Sequence, residues 1–185
     1  MTSVSDNDLA GVLDFWFGEL QRADWFRVDT DLDRRISARL SDLHEAVLTR
    51  IPDSAYRSAD AALATILLFD QYPRNAFRGT PRAFATDGLA IQLAEATMQS
   101  GLDSAMPADR RVFAYLPFEH SEALADQDLS VALISELGDD EFTRYAHAHH
   151  DVIAKFGRFP HRNAILGRQS TPDEAAYLAQ PGSGF

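Results

Sequence analysis

A chain of 185 residues with 45% apolar side chains can build a sizeable core, so composition argues against disorder. Its formal net charge of −11 argues against a nucleic-acid partner, which would need clustered cations. The absence of cysteine removes thiol catalysis, thiolate metal sites and disulfides. Of the 17 basic residues only Lys155 is a lysine; arginine, the rest, is the better partner for planar anions and buried carboxylates. Residues Met1 to Asp6 show neither the basic nor the apolar segment of a secretory leader. The longest apolar run, Leu63 to Phe69 interrupted by Thr65, is too short to cross a bilayer. The expectation is a cytoplasmic protein without a membrane partner, forming one helical domain over residues 1–185 with a loose tail over 181–185.

Helical spacing runs through the chain. Leu9, Val12, Leu13, Trp16 and Leu20 form a first stripe behind Ser5 or Asp6 as N-cap. A turn at Asp24-Trp25-Phe26 precedes a second helix carrying Ile36, Leu40, Leu43 and Val47, which stops before Pro52. A third begins near Ser58 and runs into Phe69-Asp70-Gln71-Tyr72-Pro73, and a fourth carries Leu89, Leu93 and Met98 up to Gly101. A fifth begins at Pro107, holds Val112, Phe113 and Leu116, and ends before Pro117. Leu129, Leu133 and Leu137 mark a sixth, with Ser121 as its cap. Asp139 or Asp140 opens a seventh whose inner face holds Phe142, Tyr145, Ala146, Ile153 and Phe156. Thr171-Pro172-Asp173-Glu174 is a capping box for a short last helix. No alternating strand or hairpin turn interrupts this pattern, so the fold class is all-α, a superhelix or an irregular bundle of about eight helices.

Polar groups on apolar stripes are the first functional signal. Asp70 continues the Leu63/Ile66/Leu67 face, Glu122 and Asp126 extend the Leu129/Leu133 face, and His149 lies on the Phe142/Ala146/Ile153 face. Burying a carboxylate is costly unless it is paired. The second signal is an echo. Phe69-x-x-Tyr72-Pro73-Arg74-Asn75-Ala76-Phe77-x-Gly79 is repeated as Phe156-x-x-Phe159-Pro160-His161-Arg162-Asn163-Ala164-Ile165-x-Gly167. Each copy is expected to end a helix at its aromatic-Pro step. Arg74, Arg78, Arg158 and Arg162 then either satisfy helix ends or converge on an anion. The third signal is Glu119-His120-Ser121-Glu122, where a histidine beside carboxylates suits acid–base work. Two histidines and carboxylates could also bind a metal, but there is no His-Glu-x-x-His helix, EF-hand loop, phosphate-binding loop or nucleophile elbow, and no metal site is expected.

These strings, together with Leu13-Asp14-Phe15-Trp16-Phe17-Gly18, Arg78-Gly79-Thr80-Pro81-Arg82-Ala83-Phe84-Ala85-Thr86-Asp87 and Leu166-Gly167-Arg168, resemble the bacterial domain-of-unknown-function 924 family over nearly the whole chain. The resemblance implies an α–α superhelix similar to tetratricopeptide repeats. It implies no activity.

The expected function is binding of a small anionic molecule, with possible chemistry on it. The expected ligand residues are Asp70, Arg74, Asn75, Arg78, Glu122, His149, Arg158, Arg162 and Asn163, with Glu119 and His120 as catalytic candidates. The alternative is a tetratricopeptide-like scaffold for a peptide or protein partner, in which these side chains only lock helix ends. No cofactor and no oligomeric state are indicated.

Overall fold

The computed structural model describes residues 4–183. Among the described residues it contains no strand and eight α-helices: α1 (Asp6–Leu13), α2 (Thr30–Thr49), α3 (Ala59–Ala76), α4 (Asp87–Gln99), α5 (Ala108–Glu119), α6 (Leu124–Ser135), α7 (Asp140–Phe156) and α8 (Pro172–Leu178). The protein is all-α. Several starts are set by side chains that accept the free N–H groups of a first turn. Ser5 caps α1 in a reciprocal box with Asp8, Asp29 caps α2, Ser58 caps α3, Asp139 caps α7, and Thr171 caps α8 in a box with Glu174. No described helix is long and apolar enough to cross a membrane.

The chain divides into two compact units, one comprising residues up to Arg78 with Arg82–Pro117, the other Gly79–Pro81 with Phe118 onwards. In the first unit every residue of α3 from Ala61 to Pro73 is buried. A helix apolar on all sides must be surrounded, and α1, α2 and α4 pack on it. Phe113 of α5 meets Trp25, Phe17 and Trp16 edge-on, with centroids 4.9, 5.3 and 6.2 Å away. In the second unit α6 packs on α7, and Val152, Ile153 and Phe159 form a small core with Phe156 and Tyr177 against it.

Several expected boundaries and faces differ. The first stripe does not stay α-helical: Asp14–Glu19 is a π-helix, with Leu20 N–H bonding the Phe15 carbonyl at 3.2 Å. Its wider turn lets the adjacent Phe15 and Trp16 both be buried. Helix α3 does not end at Tyr72-Pro73 but runs on to Ala76. Proline strips the bond to the carbonyl four residues earlier, here that of Phe69, and the Thr86 hydroxyl donates to that carbonyl at 2.6 Å. Helix α5 likewise passes through Pro117 to Glu119. The echo is therefore one sequence with two backbones. In its second copy α7 ends at Phe156 on the left-handed Gly157, and Pro160 starts a 3-10 turn.

On α6 the buried residues are Gln127, Ser130 and Ile134, with Leu129, Leu133 and Leu137 half-buried, so the inner face is one position off the leucine stripe. Its N-cap is Ala123, while the Ser121 hydroxyl donates to Asp126 at 2.5 Å. On α7, His149 is buried on the inner face as expected, Val152 joins it, and Tyr145 is exposed. In the tail, Pro181 and Gly182 are exposed, Ser183 donates to the Leu178 carbonyl, and residues 184 and 185 lie outside the described residues.

The Thr86–Phe69 bond generates a test. Thr86→Val removes the donor, keeps the shape and leaves a buried carbonyl unsatisfied, at a cost of about 1–3 kcal/mol. Pro73→Ala restores the missing N–H, so chemical denaturation should show a clearly smaller Thr86→Val cost in that background. Equal costs in both backgrounds would refute the compensation.

Candidate functional site

The expected site residues fall in both units: Asp70, Arg74, Asn75 and Arg78 in the first, Glu119, His120, Glu122, His149, Arg158, Arg162 and Asn163 in the second. In the first unit the polar residues of α3 satisfy one another. Asp70 is fully buried; its carboxylate accepts from Gln71 Nε2 at 2.7 Å and lies 3.2 Å from Arg74 Nη1. Arg74 also makes a forked pair with Asp87, at 2.8 and 3.0 Å. Burial works against the Arg74 charge, and Asp70 and Asp87 outweigh it. Arg78 forks onto Asp33 at 2.8 and 2.9 Å, and Asn75 bonds the Gln71 carbonyl and accepts from Arg78. These groups are engaged with each other, and the geometry is that of a structural ion network.

The same holds for two arginines of the second unit. Arg158 forks onto Glu174 at 2.6 and 2.8 Å. Glu174 also accepts from Thr171 N–H at 2.7 Å and from Asn163 at 3.3 Å. These donors, Arg158 first, push its carboxyl down to about 2. Arg168 forks onto Glu122 at 2.7 and 2.9 Å, and Glu122 takes the Phe159 N–H at 2.8 Å. Burial would raise the Glu122 carboxyl, yet Arg168 and the Phe159 amide bring it below its ordinary value.

A different arrangement surrounds the last turn of α5. Because the helix continues past Pro117, Glu119 is its last residue and is buried. The Gln127 amide, from the inner face of α6, donates to the carbonyls of Glu119 at 2.6 Å and Ser121 at 2.7 Å, with a longer contact to Phe118 at 3.3 Å. Arg162 Nη2 takes the remaining carbonyl of that turn, His120, at 3.0 Å, and its guanidinium lies over the Phe159 ring, 4.4 Å from the centroid. Thus pinned, the turn presents Glu119 and His120 to His149 of α7. Each of these three residues offers one ligand-type atom, and the three atoms lie within 4.8 Å of one another. Glu119 Oε1 is 3.3 Å from His149 Nδ1, and the two imidazoles meet edge-on at 6.1 Å. Glu119 and His149 are buried, and His120 is half-buried.

His149 Nδ1 also sits 2.9 Å from the Tyr145 carbonyl. Both neighbours of Nδ1 are acceptors, so this nitrogen carries the proton. Burial, then the nearby His120, push the His149 pKa down to about 3, with His161 and Arg162 adding to the effect. Its imidazole is therefore neutral at pH 7 despite the adjacent carboxylate. The set can relay protons or hold an electron-poor centre.

The cluster joins residues 29 to 30 positions apart with no local motif. Sequence reasoning placed the three in one larger expected site and paired Glu119 with His120; it did not single out this trio, and it missed Gln127, which reads as an ordinary polar residue.

Two comparisons bear on identity. A family model described as "Bacterial protein of unknown function (DUF924)" matches residues 12–182. The chain belongs to this family. It is also similar to a solved structure of a protein of unknown function, ATU0120 from Agrobacterium tumefaciens, at 42% identity over 92% of this chain and 96% of that one, with a TM-score of 0.88. No curated protein matches. DUF924 membership and that neighbour thus agree on the all-helical fold and carry no activity.

Two outcomes follow for this DUF924 chain. Asp70→Ala removes one of the two carboxylates that offset Arg74 and takes the acceptor from the Gln71 amide, and it should cost about 3–5 kcal/mol of unfolding free energy; a loss within error in urea titrations would contradict the buried pairing. Glu174 has a folded pKa below its unfolded one, so its stabilisation is complete above roughly pH 4.5 and is lost as pH falls towards about 2. Melting temperature measured across that window should fall more steeply for the native chain than for Glu174→Gln. Parallel curves would refute the assignment.

Proposed function

We propose that the protein binds a small anionic molecule at the Glu119–His120–His149 cluster, beside Arg162. The observation that carries this reading is the convergence of two histidines and a glutamate on a turn whose carbonyls are clamped by Gln127 and Arg162. Arg74, Arg78, Arg158 and Arg168 each fork onto a carboxylate, so the proposed site is centred on the histidine–glutamate cluster. Burial first, and then His120, His161 and Arg162, work against a proton on His149, and the Arg162 charge in that group favours an anion. Half-buried His120 gives the cluster a side open to solvent. Within it, His120 with Glu119 is the pair suited to move a proton on a bound molecule.

The test is thermal stability in inorganic phosphate and in small carboxylates. A specific anion at 100 times its dissociation constant adds about 2.7 kcal/mol. His120→Ala and Arg162→Lys should lose this response, while Arg74→Ala should melt lower yet keep it. No response to any anion, or an undiminished response in the first two variants, would sink the reading.

A further inference from the structure

We infer that Glu119, His120 and His149 form a binding site for a divalent transition-metal ion of the zinc class. The inference deepens the function proposed above, resting on the same cluster as the ligand site, and it names what draws an anion there.

The donor set is two imidazoles and one carboxylate, a combination that zinc takes with a fourth position left for water or substrate. Their ligand-type atoms lie within 4.8 Å of one another. A tetrahedral ion with bonds of about 2.0–2.2 Å needs them roughly 3.3–3.6 Å apart. Glu119 Oε1 lies 3.3 Å from His149 Nδ1, so the carboxylate and the imidazole already stand side by side. The half-buried His120 is the one with room to close the remaining distance.

The surroundings match what a metal ligand needs. A ligating imidazole must be neutral and is usually oriented by a carbonyl or carboxylate on its other nitrogen. The His149 Nδ1 faces the Tyr145 carbonyl at 2.9 Å. That contact keeps a proton on Nδ1 and puts the lone pair on Nε2, the nitrogen a metal would use. Glu119 and His120 are adjacent in a turn fixed by hydrogen bonds to each of its carbonyls from Phe118 to Ser121. Fixing the backbone lowers the ordering cost of gathering three ligands. With all three donors supplied by the chain, a fourth position would remain for water or an anion.

A second, exposed group makes a stringent control. His150 lies 3.0 Å from Asp128 and 3.4 Å from Asp151. It resembles the exposed acidic patches that collect metal loosely.

The experiment uses chelator-treated full-length protein titrated with zinc chloride by calorimetry, and with cobalt chloride by visible absorption. The expected result is one equivalent of zinc bound with submicromolar affinity. Cobalt should give the intense visible bands of a four- or five-coordinate ion. Glu119→Gln and His120→Ala, which spare the buried His149, should weaken zinc by more than about 100-fold, beyond the loss typical of an outer partner. His150→Ala should leave it unchanged. Absence of stoichiometric binding overturns the inference, and so does binding that survives both cluster variants or disappears in His150→Ala. Phosphate melting curves recorded with and without zinc separate this inference from the function it deepens. A phosphate response in protein that binds no zinc leaves the anion site standing and removes the metal. Stoichiometric zinc with no anion response does the reverse.

Discussion

A proline inside a helix removes one hydrogen bond and leaves a carbonyl to be satisfied from elsewhere, and much of this protein's arrangement depends on how that demand is met. At Pro73 the answer is Thr86, placed immediately before α4. The bond keeps α3 helical long enough to carry Arg74 to Asp87. Had the helix ended at Tyr72, as the proline suggests, Arg74 would have left on a loop. At Pro117 the consequence is larger. The extra turn makes Glu119 a helical, buried residue and sets the turn that displays His120.

The arginine-rich composition finds most of its explanation in architecture. Planar guanidinium groups fork onto carboxylates at geometries lysine cannot copy, and such pairs hold α3 to α4 and α2 in one unit and α8 to the end of α7 in the other. Glu174 illustrates the economy of this scheme. The same carboxylate completes the capping box of α8 and neutralises Arg158, so the local signal that starts the helix also docks it. Beside these forks, the turn at Glu119-His120 brings its side chains to His149 of α7.

What was legible in the sequence was local. Ser5, Ser58, Asp139 and the Thr171–Glu174 box start helices by contacts spanning a few residues, and their types announce it. Asp70 and His149 were recognisable as buried polar residues because they interrupt apolar stripes. The illegible parts required distant partners. Nothing near Pro73 reveals Thr86, and the leucines of α6 form a convincing stripe that packing rotates away in favour of Gln127 and Ser130. The π-helical stretch escaped because its lengthened turn serves Phe15 and Trp16 at once, a requirement of the core instead of the helix. Glu119, His120 and His149 stood together in one expected site, but setting them apart from the arginines there needed distant partners, as Thr86 did.

Gln127 shows how narrow a position can become. Its amide reaches the carbonyls of Glu119 and Ser121 from a fully buried site. Glutamate, the nearest relative in shape, would turn an acceptor towards acceptors. Asparagine falls short by a methylene, methionine has no strong donor, and lysine or arginine would bring an ionic charge into a space that has none to offset it. Among the genetically encoded side chains, glutamine alone combines the length, neutrality and paired hydrogens needed. A residue with no reactivity of its own is therefore held to a single letter by the peptide groups it serves.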